Sequence, residues 1–199
     1  LSLVVQQVNN PPVIQTDSLR QATVGLLYTD TLMATSGSGF YEWSSTTGTP
    51  PGLALSVGGV LSGVPVAADT VGLTFSVSSG GLTDTRTLTL RIDWDTLSVA
   101  TTAIADIPFG NLLSDTLMAS GGDGDNTWSV SAGTLPPGII LEDSTGVLTG
   151  SATALGTSAF TVMVESGDGQ MATRPFTVEV VPGPVNILND SLPQGKLNV

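Results

Sequence analysis

The side chains of this 199-residue chain best placed to do chemistry are carboxylates. Asp93 and Asp95 flank Trp94, Asp123 and Asp125 sit in the run Gly121-Gly122-Asp123-Gly124-Asp125, and Glu165 and Asp168 stand on either side of Gly167. Catalysis is the first role to fail. With no histidine and no cysteine, the usual base for a serine nucleophile and the usual thiol nucleophile are both missing. Asp123 and Asp125 could in principle divide acid and base work, but neighbours in a solvated glycine turn have nothing to raise either pKa. Ion binding suits them better, because Ca2+ takes about 6 to 8 hard oxygen ligands from carboxylates, carbonyls and water. The competing reading is that Asp and Gly simply make turns, which needs no metal. The spacing is not that of an EF-hand loop. No cofactor is otherwise required.

The elements that carry these loops come as a repeat. Asp30-Thr31-Leu32-Met33-Ala34 returns as Asp115-Thr116-Leu117-Met118-Ala119, an offset of 85 that Trp43 and Trp128 keep. Pro51-Gly52-Leu53 matches Pro137-Gly138-Ile139 at 86, Val60-Leu61-Ser62-Gly63 matches Val147-Leu148-Thr149-Gly150 at 87, and Phe75 and Phe160 return to 85. A repeat this long is too large for a solenoid unit and suits a small autonomous domain. The flanks extend the pattern: Leu1 to Val5 resembles the later stretches Leu88 to Ile92 and Phe176 to Val180, and Asp17-Ser18-Leu19 recurs as Asp190-Ser191-Leu192. The expected layout is therefore a closing strand of a preceding repeat over 1–10, complete repeats over 11–94 and 95–182, and the opening of a following repeat over 183–199.

Composition narrows the partners. Seventeen acidic residues against five basic ones give a net charge of -12, which repels nucleic acid and anionic membranes. The longest charge-free stretches are interrupted by Gly, Pro, Ser and Thr, so none reads as a membrane helix. Lys196 is the only lysine, which disfavours a lysine-based covalent staple in every repeat. Asn189-Asp190-Ser191 is a glycosylation sequon, a weak signal in a chain this rich in Ser and Thr.

Along the chain, Asn9-Asn10-Pro11-Pro12 reads as a stiff domain boundary, since proline cannot join a central strand. Alternating apolar residues predict strands over 27–35 and 113–120, with Leu32 and Leu117 facing inward. Gly/Ser turns lead to strands carrying Trp43 and Trp128. Pro-Pro-Gly turns open hairpins, Leu53 to Val57 against Val60 to Ser62 in the first copy. Two longer alternating strands close each repeat, 73–79 with 83–92 and 159–165 with 172–181. No helical period survives. Short strands at this spacing, with one Trp in an early strand, predict an all-β chain of tandem antiparallel sandwiches. Trp43 and Trp128 are expected in the cores.

The second copy, with G-G-x-G-x-x-x-W-S, L-P-P-G-I, S-T-G-V-L-T-G and F-T-V in order, resembles the bacterial immunoglobulin-like He-PIG repeat, a family overlapping dystroglycan-type cadherin-like domains. The resemblance implies extracellular, repeat-built proteins of adhesive or stalk-like role, with neighbouring repeats as first partners, and other copies, a surface protein or a glycan as further ones. In an immunoglobulin-like sandwich the loop after the second strand and the last hairpin lie at the domain's N-terminal end, beside the incoming linker. That placement would gather Asp93, Asp95, Asp123, Asp125, Glu165 and Asp168 as a Ca2+ site. The first copy has Ser36 to Phe40 and Ser79 to Gly81 there, with no equivalent cluster. Trp94 is expected either to plug the joint between domains or to stack a carbohydrate, with Phe40 and Tyr41 as further aromatics. Leu1 to Val8, without a domain of its own, could also pair with an edge strand of another copy and build a fibre.

Overall fold

The computed structural model describes residues 10–183, so the expected preceding strand, apart from Asn10, and the expected following segment, apart from Gly183, lie outside the described residues. The sequon at Asn189 and Lys196 lie outside them too. The chain divides into two compact units between Asp95 and Thr96. Among the described residues there is no helix, and therefore none long and apolar enough to cross a membrane.

The first unit has nine strands: β1 (Pro12–Ile14), β2 (Ala22–Thr23), β3 (Tyr28–Thr31), β4 (Ala34–Ser36), β5 (Glu42–Ser45), β6 (Leu53–Leu55), β7 (Val60–Gly63), β8 (Asp69–Ser79) and β9 (Leu82–Asp93). One layer is the four-stranded sheet β2-β9-β8-β5; the other is formed by β3-β7-β6 and the pair β1-β4. The second unit repeats this strand for strand with β10 (Ser98–Val99), β11 (Ile107–Pro108), β12 (Leu112–Thr116), β13 (Ala119–Ser120), β14 (Asn126–Gly133), β15 (Ile139–Leu141), β16 (Val147–Ser151), β17 (Gly156–Ser166) and β18 (Met171–Val181). Its sheets are β11-β18-β17-β14, β12-β16-β15 and β10-β13. This is the all-β, immunoglobulin/cadherin-like sandwich that the pattern of short strands predicts. Each unit departs from antiparallel pairing once, where β2 runs parallel to β9 and β11 parallel to β18.

Side-chain alternation builds the cores. Leu73, Phe75 and Val77 of β8 and Leu88, Leu90 and Ile92 of β9 point inward onto Leu32 and Leu61 of the other layer. Val162 and Val164 of β17 and Val178 and Val180 of β18 do the same against Leu117 and Leu148. Trp43 and Trp128 are 6% and 4% exposed, core residues as expected. Each indole lies against a turn glycine with left-handed backbone: a Cβ on Gly59 (φ +86) or Gly146 (φ +70) would stand 2.8 Å from the ring.

Two sequence expectations need correction. The single strand expected over 27–35 is two, β3 pairing with β7 and β4 with β1, and its counterpart divides likewise. The break has a cause in both copies. The Leu32 and Leu117 amides donate to Gly59 and Gly146 carbonyls, while the Met33 and Met118 amides donate to the Thr16 and Thr101 hydroxyls, each at 2.8 Å. The leucine thus turns into the core as the chain crosses to the other partner. The second correction concerns Phe75 and Phe160, which are not equivalent. Trp43 pairs with Val77 and Trp128 with Val164, so Phe75 corresponds to Val162 and Phe160 to Leu73. Sequence similarity aligned two aromatics that occupy different levels of the core.

The edge strands β1 and β10 are tied to the last strand by side chains instead of a ladder. Asp84 accepts from the Ile14 amide at 2.8 Å and Arg86 donates to the Ile14 carbonyl at 3.3 Å. Arg174 donates to the Val99 carbonyl at 3.0 Å in the second unit.

Candidate functional site: the acidic loops of the second unit

Asp123 and Asp125 lie in the loop between β13 and β14, and Asp168 lies in the hairpin between β17 and β18. Antiparallel pairing of β14 with β17 closes at Asn126 opposite Ser166, which brings the two loops together. Ser166 is the hub. Its hydroxyl accepts from the Asp123 amide at 2.9 Å and donates to Asp123 Oδ1 at 2.6 Å. The same Oδ1 accepts from the amides of Asp125 at 3.0 Å and Gly167 at 3.1 Å. The Ser166 hydroxyl first, then these amides, hold the Asp123 carboxyl below the ordinary carboxylate range, because each donor favours the charged form. Asp168 is treated alike: Gln170 donates its side-chain amide to Oδ2 at 2.7 Å and its backbone amide to Oδ1 at 3.0 Å, lowering the pKa chiefly through the side-chain bond. Gln170 Oε1 in turn accepts from the Leu97 amide at 2.9 Å.

Glu165 is exposed on β17 and pairs with Thr127 and Met171; alternation puts it on the opposite face from Ser166. Asp93 and Asp95 belong to the first unit. There the Asp93 carboxylate takes Arg91 Nε at 2.8 Å and the Gln21 side-chain amide, while Asp95 is exposed and Trp94 partly buried. Among the described residues no three acidic side chains come together as a metal-binding group. In the second unit's loops the Asp123 and Asp168 carboxylates act as acceptors of a hydrogen-bonded clamp.

The first unit has the same clamp without the acids. The Ser38 amide and hydroxyl bond the Ser79 hydroxyl at 2.9 and 3.0 Å. Ser79 and Ser166, 2% and 3% exposed, are the buried polar residues of the described chain. Both stand over a left-handed glycine, Gly37 (φ +70) and Gly122 (φ +65), where a Cβ would overlap the serine side chain. Sequence reasoning passed over this serine, although a signal existed: Val77-Ser78-Ser79-Gly80 and Val164-Glu165-Ser166-Gly167 keep Ser-Gly at the same point. It passed over Arg86 and Arg174 as well, each preceded by Thr.

Residues 96–181, the second unit, match the family described as "Putative Ig domain", He-PIG, bearing out the resemblance carried by that copy's motifs. The first unit shares its strand order and pairing. No curated protein matches the chain. Similar solved structures include an endo-fucoidan hydrolase of glycoside hydrolase family 107, 21% identical over 87% of this chain and 29% of that one, with a TM-score of 0.39. Mouse cadherin-23 EC22-24 is 16% identical over 87% and 65% of the two chains, at 0.40. Human protocadherin-24 EC1-2 is 14% identical over 88% and 100%, at 0.37. The chain thus spans less than a third of the hydrolase and about two thirds of the cadherin-23 fragment.

Proposed function

We propose that this chain is a non-catalytic structural or adhesive spacer, in which sandwich modules of one design follow one another within a secreted or cell-surface protein. One observation carries the reading. The two units repeat nine strands, their pairing and their internal locks, and the Asp123 and Asp168 carboxylates take part in holding the second unit's loops. Only Trp94 and Asp95 stand between the end of β9 and the second unit, and a connection that short leaves few residues free to flex. Neighbouring repeats are then the first partners, and the net charge of -12 disfavours nucleic acid. A glycan array tests the reading: a pure spacer retains nothing.

A second reading, a carbohydrate- or protein-binding module, draws on Phe40. It is 85% exposed, beside Tyr41, whose hydroxyl donates to the Ser36 carbonyl at 2.6 Å. Glycan retained by the chain and lost on Trp94→Ala or Phe40→Ala would favour this reading over the spacer. For calcium, the clamp through Ser166 supports loops that close without an ion. A chelator is then expected to leave the melting temperature unchanged, and a drop would return the acidic loops to the metal reading.

A further inference from the structure

The two units differ at one place where they are otherwise built alike. In the first, Arg86 holds the Ile14 carbonyl and also pairs with Asp17 at 2.7 Å, while Asp84 accepts the Ile14 amide. In the second, Arg174 holds the Val99 carbonyl, but the two acids are gone. Thr101 occupies the place of Thr16, capping Met118 as Thr16 caps Met33, so Thr102 stands where Asp17 does. Asp84 faces Val77, and Ala172 faces the equivalent Val164, so Ala172 stands where Asp84 does. Arg174 makes no ion pair among the described residues, whereas Arg86 makes one. Beside it lies a surface groove of about 630 Å³, lined by Val99, Thr102, Ala172, Thr173, Arg174 and others.

We propose that this groove of the second unit binds a carboxylate carried by an extended peptide, seated on Arg174 where Asp17 sits on Arg86 in the first unit. Three features favour a peptide over a free anion. An exposed ion pair contributes little alone, so further donors are needed. The Val99 backbone, like that of Ile14, faces the last strand: its carbonyl takes Arg174, and its amide has lost the acceptor that Asp84 supplies in the first unit. The groove also lies along an open strand edge, because β18 pairs with β17 on one side and with β11 only at Val180 and Val181 on the other. Glu179 donates its amide outward, to Asp106 at 3.4 Å, and strand alternation turns the Thr173 amide and carbonyl the same way. An incoming strand can therefore pair with Thr173 while its acidic side chain reaches Arg174. Pro175, which has no amide to offer at that edge, ends the pairing.

The test is amide chemical-shift titration of the whole chain with a blocked hexapeptide holding one central aspartate. The same peptide with asparagine, and acetate alone, are the comparison probes. The aspartate peptide is expected to shift Val99, Thr102 and Thr173, with weak, salt-sensitive affinity, and the asparagine peptide to lose the effect. Thr102→Asp and, independently, Ala172→Asp restore the first unit's internal acids; each is expected to abolish the shifts while leaving the melt intact. Thr157→Asp, an equal charge on an exposed strand position, should leave them in place. No shifts with the aspartate peptide, shifts that survive both acid variants, or shifts lost equally in the Thr157 control would overturn the proposal. Acetate binding as tightly as the peptide would overturn the peptide assignment.

Discussion

Gly122→Ala probes the loop clamp of the second unit most directly. Gly122 has φ +65, and a Cβ there would stand 2.9 Å from Ser166 Cβ and closer still to Ser166 Oγ. Two costs follow. Left-handed backbone costs a non-glycine residue roughly 1 to 2 kcal/mol. Pushing Ser166 aside strips a buried hydroxyl of its bonds to Asp123, and leaving such a group unsatisfied costs about 1 to 3 kcal/mol. The sum is roughly 2 to 5 kcal/mol, a large part of the ~5 to 15 kcal/mol that stabilises a domain. At about 4 to 8 °C per kcal/mol for a domain of this size, calorimetry should show the second unit's transition falling by at least ~8 °C while the first unit's stays in place. Gly124→Ala is the control: φ is +89 but no atom lies within 4 Å of the added Cβ, so only the backbone cost applies. If both variants melt alike, the clamp contributes nothing and the reasoning fails.

The other predictions concern the core and acid stability. Trp128→Ala should destabilise the second unit by about 3 to 5 kcal/mol, and Trp43→Ala the first by a similar amount; urea melts followed by hydrogen exchange in each unit would separate them. Asp123 and Asp168 have folded pKa values held below the unfolded value of about 3.9. Their contribution is therefore present above that pH and lost as pH falls through the lowered folded values. The second unit should lose stability with acid below about pH 4, and Ser166→Ala should flatten that dependence by removing the main donor to Asp123. An unchanged acid profile in the serine variant would refute that role for Ser166.

Most of the fold was legible because its signals are local and were written twice. Period-two alternation, the Pro-Pro-Gly and Gly-Gly turns, and one tryptophan in an early strand recur at nearly constant spacing, and each is read within a few residues. The split of the 27–35 strand was not legible, because whether Leu32 continues a ladder or turns inward depends on Gly59 and Thr16, which are distant in sequence. The equivalence of Phe75 with Val162 was hidden for a related reason: spacing drifts through the loops, and only the cross-strand partner of each tryptophan fixes the level of the core.

The acidic residues show the same division. The sequence by itself determined that Asp123, Asp125 and Asp168 sit in glycine turns, that the chain lacks histidine and cysteine, and that it carries far more acid than base. Only the tertiary structure decided which donors reach the Asp123 and Asp168 carboxylates. Hydrogen bonding is directional and short-ranged, so those contacts rest on where the fold places the Ser166 and Gln170 donors, which the string of residues does not show. Glu165 parts from its neighbours on one further fact, the alternation that turns it outward while Ser166 turns in. The contrast between Arg86 and Arg174 is of that kind as well: two arginines in similar strings, each held to a backbone carbonyl, of which only Arg86 gains an ion pair, because Asp17 reaches it from a distant part of the chain.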